Sequence, residues 1–265
     1  MAFAPGHICR VFTQRTERAL AEQGVEVGVI VLDDNRHKSE HPFRHALEVA
    51  RRQARVAGCS TARGLAKKGV YEVVTGLTAP DVEPPPFPAG APIHRVSSLN
   101  SEACIEAVRR AGCDLVCLMG ARILSKETLR ALALPIINIH SSDPRFVRGG
   151  PPVFWEILYD HPDTMLTIHE VTDVLDAGAI LEQAPQPILY GGGLGRTIEA
   201  TMEAARPRIA DLFQKTVLAY RHDAVRREEF EPGPVRVTPT LGETLRAEWL
   251  CRRRSRDRLN RDADG

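Results

Sequence analysis

The chain has 265 residues, 43% of them hydrophobic and 26% charged, which is ample for one large core or a core with a small appendage. Lysine and arginine (35) nearly balance aspartate and glutamate (34), so overall charge does not indicate nucleic acid or an anionic membrane as the main partner. Because no long apolar run and no signal-peptide pattern are found, we expect a cytoplasmic protein with no membrane partner.

The first third of the chain contains one clear helix–strand pair. The pattern predicts a helix over residues 13–23 that ends at Gly24, followed by a strand over 25–33 that is covered on both faces. A second helix is predicted over 44–57. The proline-rich run 79–92 is unsuited to helix or central strand, so we expect an exposed connection there.

Helix and strand then alternate in the middle of the chain. In order, we predict a helix over 102–111 capped by Asn100 or Ser101 and ended by Gly112, a strand over 113–120, a helix over 125–132 and a strand over 134–140. This alternation implies right-handed crossovers and a mainly parallel sheet. Ligands of such sheets gather beyond the carboxyl ends of the strands.

Fewer helices and strands are predicted in the last part of the chain. These are strands over 165–171 and 179–187, a long helix over 197–220 whose sequence pattern Pro207 interrupts, and a short strand over 235–238. The charged tail 251–265 is expected to be solvated and mobile. We therefore divide the chain into an α/β catalytic domain, residues 1–206, and a C-terminal helix and extension, residues 207–265.

Three polar residues form a candidate acyl-transfer centre. Asn138 and His140 are two apart in a predicted strand, so they share one face, and Asp176 follows in a loop-like segment. Asn138 can donate to an oxyanion, His140 can donate to it or accept an amine proton, and Asp176 can orient the histidine or relay protons through water. Taken alone, Asn138 and His140 are also typical of a hydrogen-bonding pair at the end of a strand, and Asp176 is typical of a turn.

The surrounding motifs extend the pattern. Gly120-Ala121-Arg122-Ile123-Leu124, Asn138-Ile139-His140, the stretch from Pro144 to Gly149, and Asp176-Ala177-Gly178 occur in this order, with 38 residues from Asn138 to Asp176. Over residues 93–190 the chain resembles the folate-dependent formyltransferase family, which includes glycinamide ribonucleotide, methionyl-tRNA and amino-sugar formyltransferases. The family's Gly-x-x-Arg-Ile-Leu segment is matched with one position fewer.

The resemblance implies an α/β fold with a mainly parallel Rossmann-like sheet, helices on both faces, and a short C-terminal extension. It implies an N-formyltransferase that moves formyl from the co-substrate 10-formyltetrahydrofolate to an amine of a small metabolite, without a metal. Asn138, His140 and Asp176 would be catalytic. The residues that would hold the folate are Ala121, Arg122, Ile123, Leu124, Val171, Thr172, Asp173 and Leu175.

We expect the residues that recognise the acceptor amine to follow the Asn138-Ile139-His140 motif. Asp143, Arg148 and Trp155 are the candidates, although a turn aspartate and a core tryptophan are the alternatives for the first and the last. His169 resembles a histidine that the family places before the folate loop, where a packed, hydrogen-bonded role is expected. The glycine-rich run 191–195 is interpreted as a turn rather than a phosphate site, because no lysine or nucleotide fingerprint accompanies it.

Three departures from the family bear on the acceptor. His140 is followed by Ser141-Ser142-Asp143-Pro144, with the proline one place early. The glycine-rich phosphate loop of glycinamide ribonucleotide enzymes is missing near the N-terminus. About 45 residues follow the long helix, and aspartates interleave with the arginines there, so we do not expect nucleic acid to be the partner.

Two other functions fit the same residues. A 10-formyltetrahydrofolate hydrolase would use the three side chains with water as the acceptor. A folate-binding module without turnover would result if the shifted proline misplaced His140. The proline-rich connection and the C-terminal segment are candidate contact surfaces for a homodimer.

Overall fold

The fold is known from a computed structural model that describes residues 2–3, 7–33, 71, 73–75 and 92–263. The predicted helix over 44–57 and nearly all of the proline-rich connection lie outside these residues. Six helices in the described part of the chain are α1 (His7–Ala21), α2 (Glu102–Arg110), α3 (Lys126–Leu132), α4 (Phe154–Leu158), α5 (Leu194–Arg221) and α6 (Leu241–Ala263).

The strands form a seven-stranded sheet and a two-stranded ribbon. They are β1 (Ala2–Phe3), β2 (Ile30–Asp33), β3 (Ile93–Val96), β4 (Val116–Met119), β5 (Ile136–His140), β6 (Arg148–Gly149), β7 (Asp163–Glu170), β8 (Ile180–Pro187) and β9 (Val235–Arg236). The large sheet has the order β3-β2-β1-β4-β5-β7-β8. Its first five strands pair in parallel, the β5–β7 and β7–β8 pairs are antiparallel, and β6 pairs with β9 in the ribbon.

Alternating strand residues build a core on each face of the sheet. Ile30 packs in the cluster that contains Phe12 of α1 and Phe213 of α5. Val31 packs in the opposite cluster, with α2 and α3. Helices on both faces of a mainly parallel sheet confirm the predicted fold class.

Local signals marked several helix ends correctly. The Ser101 hydroxyl caps α2 by accepting the Cys104 N–H, and the Ser125 hydroxyl caps α3 by accepting the Thr128 N–H. Gly24 and Gly112, just beyond α1 and α2, have φ values of 71° and 59°. This left-handed region costs glycine little, which is why glycine commonly follows a helix.

In the C-terminal part, the long predicted helix is confirmed and the expectation for the tail is corrected. Helix α5 continues through Pro207, because buried residues on both sides, such as Ala205 and Ile209, hold it against the sheet. The predicted domain boundary at 206/207 therefore lies inside a continuous helix. The tail expected to be mobile forms α6, whose buried residues Thr244, Ala247, Cys251 and Ser255 recur every three or four positions.

Helix α6 packs against α4 and α5. Among the described residues, none of the helices combines the length and apolar character needed to cross a membrane.

Candidate active site

Four polar side chains meet on the face of the sheet that also carries Ile136. Asn138 and His140 come from β5, and His169 stands opposite Asn138 in the β5–β7 register. The loop after β7 turns back over them and brings Asp176 within 3.6 Å of His140 Nδ1 and 3.5 Å of His169 Nε2. The structure thus brings together the three predicted catalytic residues and adds His169.

The hydrogen bonds of His140 fix its neutral tautomer. The ring Nε2 lies 2.9 Å from the carbonyl oxygen of Val147, which can only accept, so Nε2 carries the proton. The bare Nδ1 then faces the Asp176 carboxylate. Burial lowers the pKa of His140 below its ordinary 6.5, against the opposing influence of Asp176, so the ring is neutral at pH 7.

His169 is held by three neighbours. Its Nδ1 lies 2.8 Å from the Glu170 carbonyl oxygen, which can only accept, so Nδ1 donates. Its Nε2 lies 3.2 Å from Asn138 Nδ2 and 3.5 Å from the Asp176 carboxylate, so the NH₂ group of the Asn138 amide is turned toward His169. The β5–β7 pairing is the signal that could have identified His169 as part of the site.

Asp176 sits in a strained but suitable backbone conformation. Its φ is 45°, in the left-handed region that aspartate tolerates better than most residues. Burial alone raises the pKa of its carboxyl, but the hydrogen bond from His169 and that from the Gly149 N–H, which donates to Oδ2 at 2.9 Å, reverse this and lower the pKa. Asp176 is therefore ionised beside a neutral histidine.

The loop after β5 uses two predicted acceptor-binding residues internally. Asp143 accepts hydrogen bonds from the backbone N–H and side chain of Arg145. Arg148 donates from Nε to the Gly233 carbonyl at 2.7 Å and from a terminal nitrogen to the Leu175 carbonyl at 3.0 Å. These contacts show that both side chains stabilise the loop, and their contact with a substrate stays a prediction.

Trp155 is also a structural residue rather than part of the crevice mouth. It is 3% exposed, packs edge-on against Phe154, and donates from its indole N–H to the Gly150 carbonyl at 3.2 Å. The predicted substrate contact is corrected accordingly: among the alternatives weighed for Trp155, the core residue is the one observed.

The two predicted folate-binding segments lie beside each other. Residues 121–124 follow β4, residues 171–175 follow β7, and an ion pair of 2.8 Å between Lys126 and Asp173 bridges them. Ile123 and Val174 expose apolar side chains, 44% and 50% accessible. Thr172 stabilises its own turn through bonds to the backbone of Val174.

Asn100 shapes the first of these segments, a role that the sequence did not reveal. Its side-chain nitrogen donates to the Ile123 carbonyl at 3.1 Å, and its oxygen accepts from the Ser125 N–H at 2.7 Å. These two hydrogen bonds fix the backbone on both sides of Leu124. The Arg122 side chain pairs with buried Asp33 at 3.2 Å.

A buried carboxyl group lies behind the catalytic strand. Glu156 is 3% exposed and accepts a 2.5 Å hydrogen bond from the Ser142 hydroxyl. Burial raises the pKa of the Glu156 carboxyl above its ordinary value. Ser142 is two residues past His140, so this contact anchors the turn that departs from the family pattern.

The glycine-rich run is a packed turn. The Gly192 N–H donates to the Ser255 hydroxyl at 2.7 Å, and the Leu194 N–H donates to the Glu248 carboxylate at 2.6 Å. A carboxylate from α6 thus occupies the position where a phosphate would bind the start of α5. Within the described residues, no group of three or more histidine, cysteine or acidic side chains could hold a metal ion.

The sheet and its polar cluster define an α/β protein with an Asn-x-His and aspartate centre suited to acyl transfer. The profile of the formyl transferase family matches residues 40–209, about two thirds of the chain, and the chain therefore belongs to this family. The predicted recognition is confirmed. Members of the family are enzymes that transfer formyl groups.

Relatives and solved structures agree with this assignment. The chain is 25% identical over 202 residues to the methionyl-tRNA formyltransferase of Streptococcus gordonii, covering 71% of this chain and 63% of the other. It is 31% identical over 143 residues to that of Enterococcus faecalis, covering 49% and 46%. The chain thus spans less than two thirds of the length of these relatives.

Two solved structures share the fold. A sugar N-formyltransferase from Shewanella sp FDAARGOS_354 superimposes with a TM-score of 0.54 at 16% identity, covering 89% of this chain and 74% of the other. Glycinamide ribonucleotide transformylase 1 from Symbiobacterium toebii gives 0.53 at 19% identity, covering 86% and 92%. At these identities the similarity concerns the fold alone.

Proposed function

We propose that this protein is an N-formyltransferase that moves the formyl group of 10-formyltetrahydrofolate to an amine of a small metabolite, such as an amino sugar, an amino acid or a biosynthetic intermediate. The observation that carries the proposal is the convergence of His140, Asp176 and Asn138 on one face of the sheet, with 3.6 Å between His140 Nδ1 and the Asp176 carboxylate. Membership in the formyl transferase family supports the reaction class.

Asn138 is proposed to stabilise the oxyanion. Attack of the amine nitrogen on the formyl carbon forms a carbon–nitrogen bond and moves an electron pair onto the formyl oxygen. The Asn138 amide nitrogen lies 3.2 Å from His169 Nε2 and carries two N–H groups, one of which would bind that oxygen. A fixed donor of this kind is worth about 10²–10³ in rate.

His140 is proposed to carry the proton. Neutral His140 accepts the proton of the attacking amine at Nδ1, and the resulting imidazolium is stabilised by Asp176. His140 then returns the proton to the folate nitrogen as its bond to the formyl carbon breaks. Val147 holds the opposite ring nitrogen throughout, so the imidazole keeps its orientation.

The two bridged loops are proposed to hold the folate. Backbone groups of residues 121–124 would bind the edge of the pterin, and residues 171–175 would cover it. Three features support this placement: the Lys126–Asp173 ion pair, the Asn100 hydrogen bond that fixes the Ile123 carbonyl, and the exposed Ile123 and Val174 side chains. Apolar side chains with a few backbone donors and acceptors suit a flat heterocycle.

Methionyl-tRNA is the competing acceptor. The relatives with the curated name methionyl-tRNA formyltransferase are 25% and 31% identical to this chain, which favours this second candidate over other macromolecules. Both acceptors present a primary amine to the same centre. Whether the protein accepts a small amine or methionyl-tRNA therefore depends on the surface outside Asn138, His140 and Asp176. An experiment decides between the two acceptors.

The test offers isotope-labelled 10-formyltetrahydrofolate to the protein with a panel of small amines, with methionyl-tRNA, and with buffer alone. Tetrahydrofolate release that depends on a small amine, together with the mass increase of one formyl group, is the expected result. Formylation of tRNA alone would replace the small acceptor, and formate release without amine would identify a hydrolase. His140→Ala should be inactive, whereas His222→Ala, an exposed histidine, serves as the matched control.

A further inference from the structure

We infer that residues 227–236, termed the strap, position the catalytic His140–Asp176 pair by holding the loop over residues 143–150. The inference rests on the proposed function, because it assigns the strap to the same site. The strap lies beyond the family match, which ends at residue 209, and beyond the catalytic domain predicted to end at 206.

The strap and the loop are joined by a ladder of backbone hydrogen bonds. The Gly233 N–H donates to the Pro144 carbonyl at 2.9 Å, the Arg148 N–H to the Pro234 carbonyl at 3.1 Å, and the Gly150 N–H to the Arg236 carbonyl at 3.2 Å. The central part of this ladder is the β6–β9 pair. The loop is therefore held along most of its length.

Two glycines allow the backbones to approach this closely. A Cβ atom on Gly149, which has φ 89°, would collide with the Arg236 carbonyl oxygen. A Cβ atom on Gly233 would collide with the Arg145 carbonyl oxygen. Since the obstructing atoms are backbone rather than flexible side chains, any larger residue must displace the strap or the loop.

The held loop supplies three contacts to the catalytic centre. The Val147 carbonyl accepts from His140 Nε2, the Gly149 N–H donates to the Asp176 carboxylate, and the Arg148 guanidinium binds the carbonyl of Leu175, the residue before Asp176. Arg148 also binds the Gly233 carbonyl with Nε, which ties the strap directly to the Asp176 turn.

The strap is attached to the rest of the fold on its other side. Glu228 and Ile180 exchange two backbone hydrogen bonds of 2.9 Å, and Arg227 donates to the Glu170 carboxylate at 2.8 Å. Both partners lie on the strands that flank the Asp176 loop. The strap thus joins the two segments that carry the contacts to His140 and to Asp176, and its residues are positioning residues.

The experiment measures His140 itself in the ligand-free protein. Histidine ring nitrogens are followed by NMR across pH in wild type, Gly233→Ala and the control Gly242→Ala, and the His140 signals are assigned with His140→Ala. A Cβ atom on Gly242 meets no atom within 4 Å, so that variant changes glycine to alanine without a collision. Unfolding temperatures are measured in parallel.

In Gly233→Ala we expect the Nε2–H tautomer of His140 to lose its dominance. Its pKa should fall further, because the hydrogen bond to Val147 favours the charged ring. The other groups that face His140 are Asp176, His169 and Asp143, and none of them is altered. With substrates, kcat should fall about ten- to a hundredfold while the KM for 10-formyltetrahydrofolate stays unchanged.

A folded Gly233→Ala protein whose His140 titrates as in Gly242→Ala would overturn the inference. Should Gly233→Ala fail to fold, Arg148→Lys tests the same link, since one ammonium group cannot bridge the Gly233 and Leu175 carbonyls as the guanidinium does. An unchanged His140 pKa and kcat in that variant would equally refute the role of the strap. Because the NMR measurement needs no substrate, a wild type without formyl transfer would refute the proposed function separately.

Discussion

Replacement of Asp176 by asparagine tests the charge of the carboxylate with little change of shape. Asparagine tolerates the left-handed backbone at this position, where φ is 45°, at least as well as aspartate. An amide oxygen at the Oδ2 position can still accept the Gly149 N–H, and the amide nitrogen then replaces Oδ1, which lies 3.5 Å from His169 Nε2. The fold should therefore persist while the negative charge is lost.

The expected loss follows from the separation of the charges. At 3.6 Å and an effective dielectric constant of about 20, the attraction between the His140 imidazolium and the Asp176 carboxylate is about 4–5 kcal/mol. The imidazolium forms only as the amine proton is taken, so this energy is lost from the transition state and kcat should fall about 10³-fold or more. The pKa of His140 should fall as well.

The assay compares single-turnover formyl transfer from 10-formyltetrahydrofolate in wild type, Asp176→Asn and Asp223→Asn. Asp223 is the matched control, because it also has a left-handed backbone, with φ 51°, and is exposed away from the site. A folded Asp176→Asn protein that retains more than about a tenth of the wild-type rate would show that the carboxylate does not stabilise charge on His140.

Further predictions concern four other residues. Asn138→Ala should lower kcat about 10²–10³-fold at saturating co-substrate, and a near-normal kcat would remove it from oxyanion stabilisation. Since burial lowers the pKa of His140 below 6.5 and the neutral ring is the base, kcat should be level above that pH and fall only below it; an acidic limb centred above pH 7 would contradict the assignment. Burial raises the pKa of Glu156 above 4.5, so the folded protein binds a proton that the unfolded chain releases. The unfolding temperature of the Glu156→Gln variant should therefore increase relative to that of the wild type as pH rises from 4.5. A difference between the two unfolding temperatures that does not change with pH would argue against a protonated Glu156. Asn100→Ala should raise the KM for 10-formyltetrahydrofolate about fivefold without changing kcat, as measured by initial rates; an unchanged KM would separate Asn100 from folate binding.

Local patterns predicted the parts of the fold that short-range physics determines. Serines 101 and 125 precede their helices and cap them, because a hydroxyl at that position satisfies an N–H group of the first turn. Strand β4 was visible as an apolar run, since a strand between two helical layers has no polar face. Asn138 and His140 share a face because strand side chains alternate.

Long-range contacts were beyond such patterns. Asp176 was located through its interval from Asn138, a family feature, and its position over β5 depends on a loop that folds back. Asn100, Glu156 and the strap act on residues between 14 and 90 positions away, and their own neighbours in sequence do not indicate the partner. The regular spacing of small residues in α6 could have predicted a helix, but the many arginines in this segment led instead to the expectation of a solvated tail.

The orientation of the two histidine rings determines which nitrogen of each ring faces Asp176. Backbone carbonyls of Val147 and Glu170 accept from His140 Nε2 and His169 Nδ1, so the opposite nitrogens of the two rings are the ones that face Asp176. His169 Nε2 also lies 3.2 Å from the Asn138 amide nitrogen, which is proposed to serve the oxyanion, while His140 Nδ1 is proposed to take the amine proton. The proposed separation of oxyanion donor and base thus depends on two backbone hydrogen bonds, one from each ring. Because only the Val147 carbonyl belongs to the 143–150 loop, disturbing this loop should impair the proposed base while sparing the proposed donor.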